Sequence, residues 1–217
     1  MTGGERGTGN GEGRLRDALR LIVILDQEAA RGRDLPELGA LAVSGGASML
    51  QVRAKQLPPA ALADLVRAVI AVSRVPVLVN DRLDVALATG AAGCHLGQDD
   101  FPIAEARAMV PSGFLLGGSA GNPGEARRAT SAGAHYLGVG PIHVTGNKPD
   151  AGEPIGADGF EKVRAATTLP CVAIGGITIA DAPVLRAAGA AGVAVIGAVL
   201  GALDTADAAR DLVKAWR

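Results

Sequence analysis

Short apolar runs alternate regularly with longer amphipathic stretches from Leu19 onward, and this pattern is compatible with few folds. Each run is nearly continuous in apolar or small residues, which is typical of parallel strands covered on both faces. The runs predict eight strands, at Arg20–Leu25, Ser48–Arg53, Val77–Asn80, Gly93–Leu96, Phe114–Gly118, Tyr136–Gly140, Cys171–Ile174 and Gly192–Ile196.

The segments between the runs carry helix signals. Ala60–Arg74 has apolar residues at helical spacing along one broad side. Asn122 and Pro123 are typical of a helix N-cap and first helical position, and Gly133 is typical of the stop. A similar order recurs around the seventh helix as Asp181, Pro183 and Gly189.

Eight strand–helix units in 217 residues predict an α/β fold, a single-domain (β/α)8 TIM barrel, with a doubly wound open sheet as the alternative. The barrel is favoured because the unusual polar residues follow the carboxyl ends of the strands, where such barrels build their sites. We assign residues 14–217 to the barrel. Residues 1–13 contain six glycines and no apolar run, which predicts a disordered tail.

Composition excludes several classes of function. The net charge of −1 and the 2% aromatic content argue against a nucleic-acid partner, which requires basic surfaces or stacking platforms. No apolar run reaches the roughly 18 residues of a membrane span. Cys94 and Cys171 lie within apolar runs, so we interpret them as reduced core residues of a cytoplasmic protein.

Two cations and an amide follow one another at the end of the second strand. Strand alternation places Gln51, Arg53 and Lys55 on one side. Only four of the 21 basic residues are lysines, and two of them, Lys55 and Lys148, lie in predicted loops after strands. A solvated rim is the alternative, but scarce lysines at these positions favour a phosphate or diphosphate clamp.

Carboxylates follow the third and fourth strands. Asn80 and Asp81 end the third strand, and Asp100 lies in the loop after the fourth. Mg²⁺ typically binds one or two carboxylates together with waters and phosphate oxygens, so we predict a magnesium site here. The alternative for Asp81 is a helix N-cap. We interpret His95 as a packed or hydrogen-bonding residue.

Later strands end in glycines and hydroxyl residues. Ser119 follows two glycines after the fifth strand, and a long polar loop follows the sixth. Glycine amides after the seventh and eighth strands are typical of the phosphate pocket of such barrels. The sequence therefore predicts two anion sites in one mouth, one for a diphosphate and one for a monophosphate, and hence a transfer reaction between two phosphorylated small molecules.

Together these motifs resemble the thiamine-phosphate synthase family from about Leu21 to Leu200. The resemblance implies Mg²⁺ at Asp81 and Asp100, and catalytic roles for Arg53, Lys55, Ser119 and Lys148. The residues that it implies around the pyrimidine diphosphate are Gln51, Arg53, Lys55, Asn80, Ser119 and Lys148. Those that it implies around the thiazole phosphate are Thr145, Gly146, Asn147, Gly175, Ile196 and Gly197.

The resemblance also implies the reaction. Pyrophosphate would leave the aminopyrimidine, and the thiazole nitrogen would capture the resulting methylene cation without a protein nucleophile. The implied partners are the two phosphorylated substrates, and a homodimer is compatible with the sequence.

Three positions depart from the family pattern. Asn147 replaces a threonine, Gly197 replaces a serine, and Asp99 replaces a glutamate. Two alternatives stay open at this point. The related thiazole tautomerases have a histidine after the sixth-strand glycine, where this chain has Pro141, and they tend to lack the diphosphate set. A non-catalytic binder of thiamine-pathway phosphates would release no pyrophosphate.

Overall fold

The strands form one closed sheet. The computed structural model describes residues 8–146 and 152–217. Its eight parallel strands follow chain order around the barrel, and β8 pairs with β1. The barrel prediction is confirmed, and the open sheet is excluded. The strands are β1 Leu21–Asp26, β2 Met49–Arg53, β3 Val77–Asn80, β4 Gly93–Leu96, β5 Leu115–Ala120, β6 Tyr136–Val139, β7 Cys171–Ile174 and β8 Gly192–Val195.

Helices alternate with the strands around the outside. Within the described ranges they are α1 Thr8–Ala18, α2 Leu35–Gly45, α3 Pro59–Val72, α4 Leu83–Thr89, α5 Ile103–Met109, α6 Pro123–Ser131, α7 Gly156–Arg164, α8 Asp181–Ala187, α9 Gly197–Leu200 and α10 Thr205–Ala215. None of the helices in these two ranges combines the length and apolar character needed to cross a bilayer.

The core has two layers. An inner cluster fills the lower part of the barrel, and a larger outer cluster joins the sheet to the helices. The inner cluster consists of Leu19, Ile22, Ile24, Met49, Leu78, Tyr136, Val172 and Ala194. Because the large side chains fill the lower barrel, the space that remains opens at the carboxyl ends of the strands.

Helix α1 precedes the first strand and was not predicted from the sequence. Residues 8–13, assigned above to a disordered tail, belong to α1. Leu15 and Ala18 of this helix pack against the inner cluster. Tertiary packing therefore supports a segment whose glycine content disfavours helix. Residues 1–7 of the expected tail lie outside the described residues.

The helix-start prediction is confirmed at α6 and wrong at α8. The Asn122 side chain accepts a hydrogen bond from the Glu125 N–H at 3.1 Å and caps α6. Asp181 is instead the first helical residue of α8, and its carboxylate accepts the Thr178 N–H of the preceding loop at 2.8 Å.

Both cysteines are free and buried. Burial raises the pKa of Cys171 to about 11 and also raises the pKa of Cys94. Because thiolate formation is disfavoured, both thiols serve as packing groups.

Candidate active site

A large cavity of about 1020 Å³ lies at the carboxyl ends of the strands. Every sequence-predicted site residue within the described ranges lines it. These residues are Gln51, Arg53, Lys55, Asn80, Asp81, Asp100, Ser119, Thr145, Gly146, Gly175, Ile196 and Gly197. Asn147 and Lys148 lie outside the described residues. The structure thus brings together groups from strands two to eight.

Arg53 is held by a buried carboxylate that the sequence analysis missed. Its guanidinium donates to Oδ2 of Asp26, and the two side chains are 11% and 4% exposed. The other oxygen of Asp26 accepts the Ala29 N–H at 2.8 Å. Since Asp26 and Arg53 are register partners on β1 and β2, the strand pairing itself aims the guanidinium at the mouth.

Asp81 and Asp100 form a close pair of carboxyl groups. They lie within hydrogen-bonding reach of each other, and Nζ of Lys55 lies 3.7 Å from Oδ2 of Asp81. Burial and Asp100 raise the pKa of Asp81 to about 6, although Lys55 and Arg53 act in the opposite direction. The nearby cations therefore leave part of the negative charge of this pair uncompensated.

Asp81 does not cap a helix. The N-cap of α4 is Arg82, and no side chain caps that helix. Asp81 has a φ of 63°, in the left-handed region that non-glycine residues rarely adopt. Its backbone N–H donates to the His95 carbonyl at 2.8 Å. This conformation places the side chain at the cavity.

The donor set fits magnesium. No cluster of three or more His, Cys, Asp or Glu side chains suited to a metal occurs within residues 8–146 and 152–217. Mg²⁺ does not need one, because it commonly binds one or two carboxylates and completes its shell with waters and phosphate oxygens. Asp81 and Asp100 provide two hard oxygen donors beside the cationic wall of the cavity.

The loop that carries Asp100 is braced from two sides. The Gly97 N–H donates to Oδ2 of Asp100 at 2.7 Å. Glu125 accepts hydrogen bonds from the Gln98 side chain and, at 2.6 Å, from the Gly121 N–H. The loops after β4 and β5 are therefore joined through one carboxylate at the rim.

Ser119 lies at the end of a buried hydrogen-bonded chain. Its Oγ is 3.1 Å from Nε2 of His95, and Nδ1 of His95 is 3.0 Å from the Tyr136 hydroxyl. His95 is 8% exposed and Tyr136 is 1% exposed. The interpretation of His95 as a packed, hydrogen-bonding residue agrees with this arrangement.

The opposite wall is built from glycines and loop backbone. Gly175 and Gly176 have φ values of 96° and 67°. The His143 N–H donates to the Gly175 carbonyl at 2.9 Å, and Nε2 of His143 bonds Oδ1 of Asp181 at 2.9 Å. Burial alone would raise the pKa of Asp181. Hydrogen bonds from Thr178 and His143 outweigh burial and keep this pKa below its ordinary value. The loops after β6 and β7 are thereby joined beside the glycines.

Comparison with known proteins gives the family. A family model described as thiamine monophosphate synthase matches residues 21–199, from β1 to α9. The chain belongs to this family.

Relatives of the thiamine monophosphate synthase family match along most of the chain. The thiamine-phosphate synthase of Methanoculleus marisnigri is 47% identical over 88% of this chain and 92% of its own length. That of Moorella thermoacetica is 48% identical over 88% of this chain and 93% of its own length.

A solved structure of this family has the same architecture. The thiamine phosphate pyrophosphorylase from Pyrococcus furiosus superposes with a TM-score of 0.85 and 36% identity, covering 93% of this chain and 97% of the other. A 3-hexulose-6-phosphate synthase, at a TM-score of 0.70 and 21% identity, shares the fold alone.

Proposed function

We propose that this chain is a thiamine-phosphate synthase. It joins an aminopyrimidine, activated as its methylene diphosphate, to a thiazole phosphate and releases pyrophosphate. The observation that carries the proposal is that one cavity combines a cationic wall on β2 with a glycine-lined wall on β7 and β8. Two anionic substrates can therefore meet in a single mouth.

The cationic wall assists departure of the leaving group. The carbon–oxygen bond between the methylene and the diphosphate breaks, and its electron pair leaves with pyrophosphate. Arg53 offers a planar fork for two phosphate oxygens, and Lys55 adds a point charge. Both stabilise the charge that grows on the leaving group. Lys148 is a further candidate, on the resemblance alone.

Magnesium would be held by Asp81 and Asp100 and would neutralise diphosphate charge. Both substrates are anionic, so each phosphate group needs its own binding site to limit the repulsion between them. Backbone amides after β7 and β8 suit the thiazole phosphate. Its ring nitrogen can then lie against the pyrimidine methylene and form the new carbon–nitrogen bond.

The residues support a synthase over a tautomerase. Pro141 follows the sixth-strand glycine and lines the cavity, so the histidine that the tautomerases carry there is missing. Gln51, Arg53, Lys55, Asp81 and Asp100 converge on the same mouth, an arrangement for which a tautomerase or a passive binder has little use.

The experiment is incubation of the purified chain with both substrates and Mg²⁺, with thiamine phosphate and pyrophosphate measured together. Equal amounts of the two products are expected. Pyrophosphate without thiamine phosphate would indicate a hydrolase, and neither product would contradict the proposal. Arg53→Lys should lower turnover, because a single ammonium cannot reproduce bidentate contact.

The metal proposal has its own test. Asp81→Ala and Asp100→Ala should each reduce turnover strongly while the fold is retained, and chelator should do the same to the wild type. Asp84→Ala is the matched control, since Asp84 is an exposed residue of α4 that pairs with Arg82 rather than with the cavity. Full activity of Asp81→Ala, or of the wild type in excess chelator, would contradict the metal assignment.

A further inference from the structure

We propose that His95, held by Tyr136, is a positioning residue that fixes the Ser119 hydroxyl as a hydrogen-bond donor into the cavity. The identity of the acceptor rests on the proposed function: an oxygen or unprotonated nitrogen atom of the pyrimidine diphosphate. The direction of the hydrogen bonds among the three side chains does not depend on the proposed function.

The three groups lead from the barrel interior to the mouth. Tyr136 begins β6, His95 lies on β4, and Ser119 lies on β5 between them. All three side chains border the cavity, but Tyr136 is only 1% exposed, whereas Ser119 is half-buried. The tyrosine end of this hydrogen-bonded series is thus closed to solvent, and the serine end faces the cavity.

Between these two contacts a neutral imidazole offers one N–H and one lone pair, so the three groups can be ordered in two directions. In the first, the Tyr136 hydroxyl donates to Nδ1 of His95, and Nε2–H donates to Ser119. In the second, Ser119 donates to Nε2, and Nδ1–H donates to the tyrosine oxygen. The two orders leave the Ser119 proton facing opposite ways.

The buried Tyr136 hydroxyl decides between the two orders. In the second order the Tyr136 proton needs a further acceptor, and this hydroxyl makes no other hydrogen bond within the described ranges. Burial also raises the pKa of Tyr136, so the phenol keeps its proton. Because an unsatisfied buried donor is costly, the first order is favoured. Ser119 then accepts from His95 and turns its own proton to the cavity.

Glycines make room for this arrangement. A Cβ at Gly117 would lie 2.5 Å from Nδ1 of His95 and 2.4 Å from Cζ of Tyr136. A Cβ at Gly138 would lie 3.0 Å from Cε1 of His95. Any side chain at these two positions would displace one of the rings. The glycines of β5 and β6 therefore leave the space that His95 and Tyr136 occupy.

A donor at Ser119 has a consequence for recognition. Its proton fits a diphosphate oxygen or an unprotonated ring nitrogen, whereas an amino group could use only the remaining lone pair of the hydroxyl oxygen. The hydrogen-bonded groups therefore favour an acceptor atom of the pyrimidine diphosphate opposite β5.

The first test needs no substrate. Ring-nitrogen NMR of wild-type protein labelled at histidine gives the tautomer of each of its three histidines, and His95→Leu identifies the His95 signals. We expect Nε2 to carry the proton and Nδ1 to be unprotonated. A proton on Nδ1, with or without one on Nε2, would overturn the proposal.

The second test asks whether His95 acts through Ser119. His95→Leu should lower kcat/KM roughly tenfold through the lost hydrogen bond. His95→Gln should retain most activity, because its amide oxygen can accept from Tyr136 while its N–H donates to Ser119. In a Ser119→Ala background the two variants should become equal. Independent, additive losses would indicate a structural role only and contradict the proposal.

His135→Leu is the matched control. His135 precedes β6 at the opposite end of the barrel, where its Nδ1 accepts the Leu116 N–H at 2.9 Å, so turnover should be unchanged. If the wild type forms no thiamine phosphate, the proposed function fails, and the tautomer measurement still decides the polarity.

Discussion

Asp26 holds the cation on which the proposed diphosphate site depends. Its ion pair with Arg53 is almost fully buried, so Asp26→Asn leaves a guanidinium without its counter-charge. The free energy of unfolding should fall by about 3 kcal/mol, and the KM for the pyrimidine diphosphate should rise. Urea denaturation and steady-state kinetics measure the two effects.

Asp64→Asn is the control for Asp26→Asn. It removes a carboxylate from an exposed pair in which Arg67 and Asp64 are 54% and 79% exposed. The loss there should stay below about 1 kcal/mol. Equal losses in the two variants would show that the buried pair contributes nothing special.

Alternation predicts which residues face the cavity but not which residues hold them. Gln51, Arg53 and Lys55 share one side of a strand, and all three line the cavity. Asp26 ends an apolar run as many surface aspartates do, and only the register of β1 against β2 sets it opposite Arg53. Tyr136 and His95 are likewise 41 positions apart in the chain, so no local pattern signals their contact.

Gly197 is the position where a hydroxyl residue is expected from the resemblance. It is exposed and begins α9, a helical conformation that serine readily adopts. Gly197→Ser should lower the KM for thiazole phosphate by up to about tenfold, because a hydrogen bond to a charged phosphate is gained. The KM for the pyrimidine diphosphate is the internal control and should not change. An unaltered thiazole constant would mean that the backbone amides already saturate the phosphate.

The turn after β7 depends on glycine for space as well as for conformation. A Cβ at Gly175 would lie 2.6 Å from Cβ and 2.7 Å from Cα of Pro141. Gly175→Ala should therefore cost about 3 kcal/mol or more in the free energy of unfolding and weaken thiazole-phosphate binding. Thermal or urea unfolding measures the first effect.

Gly90→Ala is the control that separates the loss of space from the strained backbone conformation. It also has a positive φ, 72°, but an added Cβ there would meet nothing within 4 Å. Gly90→Ala should cost only the left-handed conformation, about 1–2 kcal/mol. If the two variants lose the same stability, the contact with Pro141 is not significant.

Elements were predictable where one local cause dominates. Strands β3, β4 and β7 have the predicted bounds, and the other five differ by one or two residues, because covered parallel strands are apolar throughout. Helix α1 was missed because its stability comes from Leu15 and Ala18 packing beneath the barrel. The prediction of Asp181 as an N-cap was wrong because an aspartate can accept an N–H either as a cap or from inside the first turn.

The stability of the whole molecule should depend on pH through Asp81. Its pKa is about 6 in the folded chain against an ordinary 3.8, so the unfolded chain loses this proton first as pH rises. Stability attributable to Asp81 therefore falls between these values and stays reduced above them. In chelator, Asp81→Asn should gain about 1–2 kcal/mol over wild type above pH 6, once solvent screening is allowed for, and almost nothing below pH 4.

Asp84→Asn should change the stability in the opposite direction to Asp81→Asn. A hydrogen bond from Arg82 lowers the pKa of Asp84, so its carboxylate stabilises the fold above its ordinary pKa and removal should cost a little stability there. Thermal unfolding of both variants across the pH range checks the pair. A stability difference between Asp81→Asn and wild type that does not change with pH would contradict the raised pKa of Asp81.

The left-handed backbone of Asp81 has a consequence for how such a chain changes over generations. Asparagine adopts this conformation more readily and carries no charge to set against Asp100, so the barrel would be sturdier without the carboxylate. Drift toward stability would remove Asp81 early, and a laboratory screen that rewards heat resistance alone should recover its replacements. A chain that carries a carboxylate at this position gives up some of that stability.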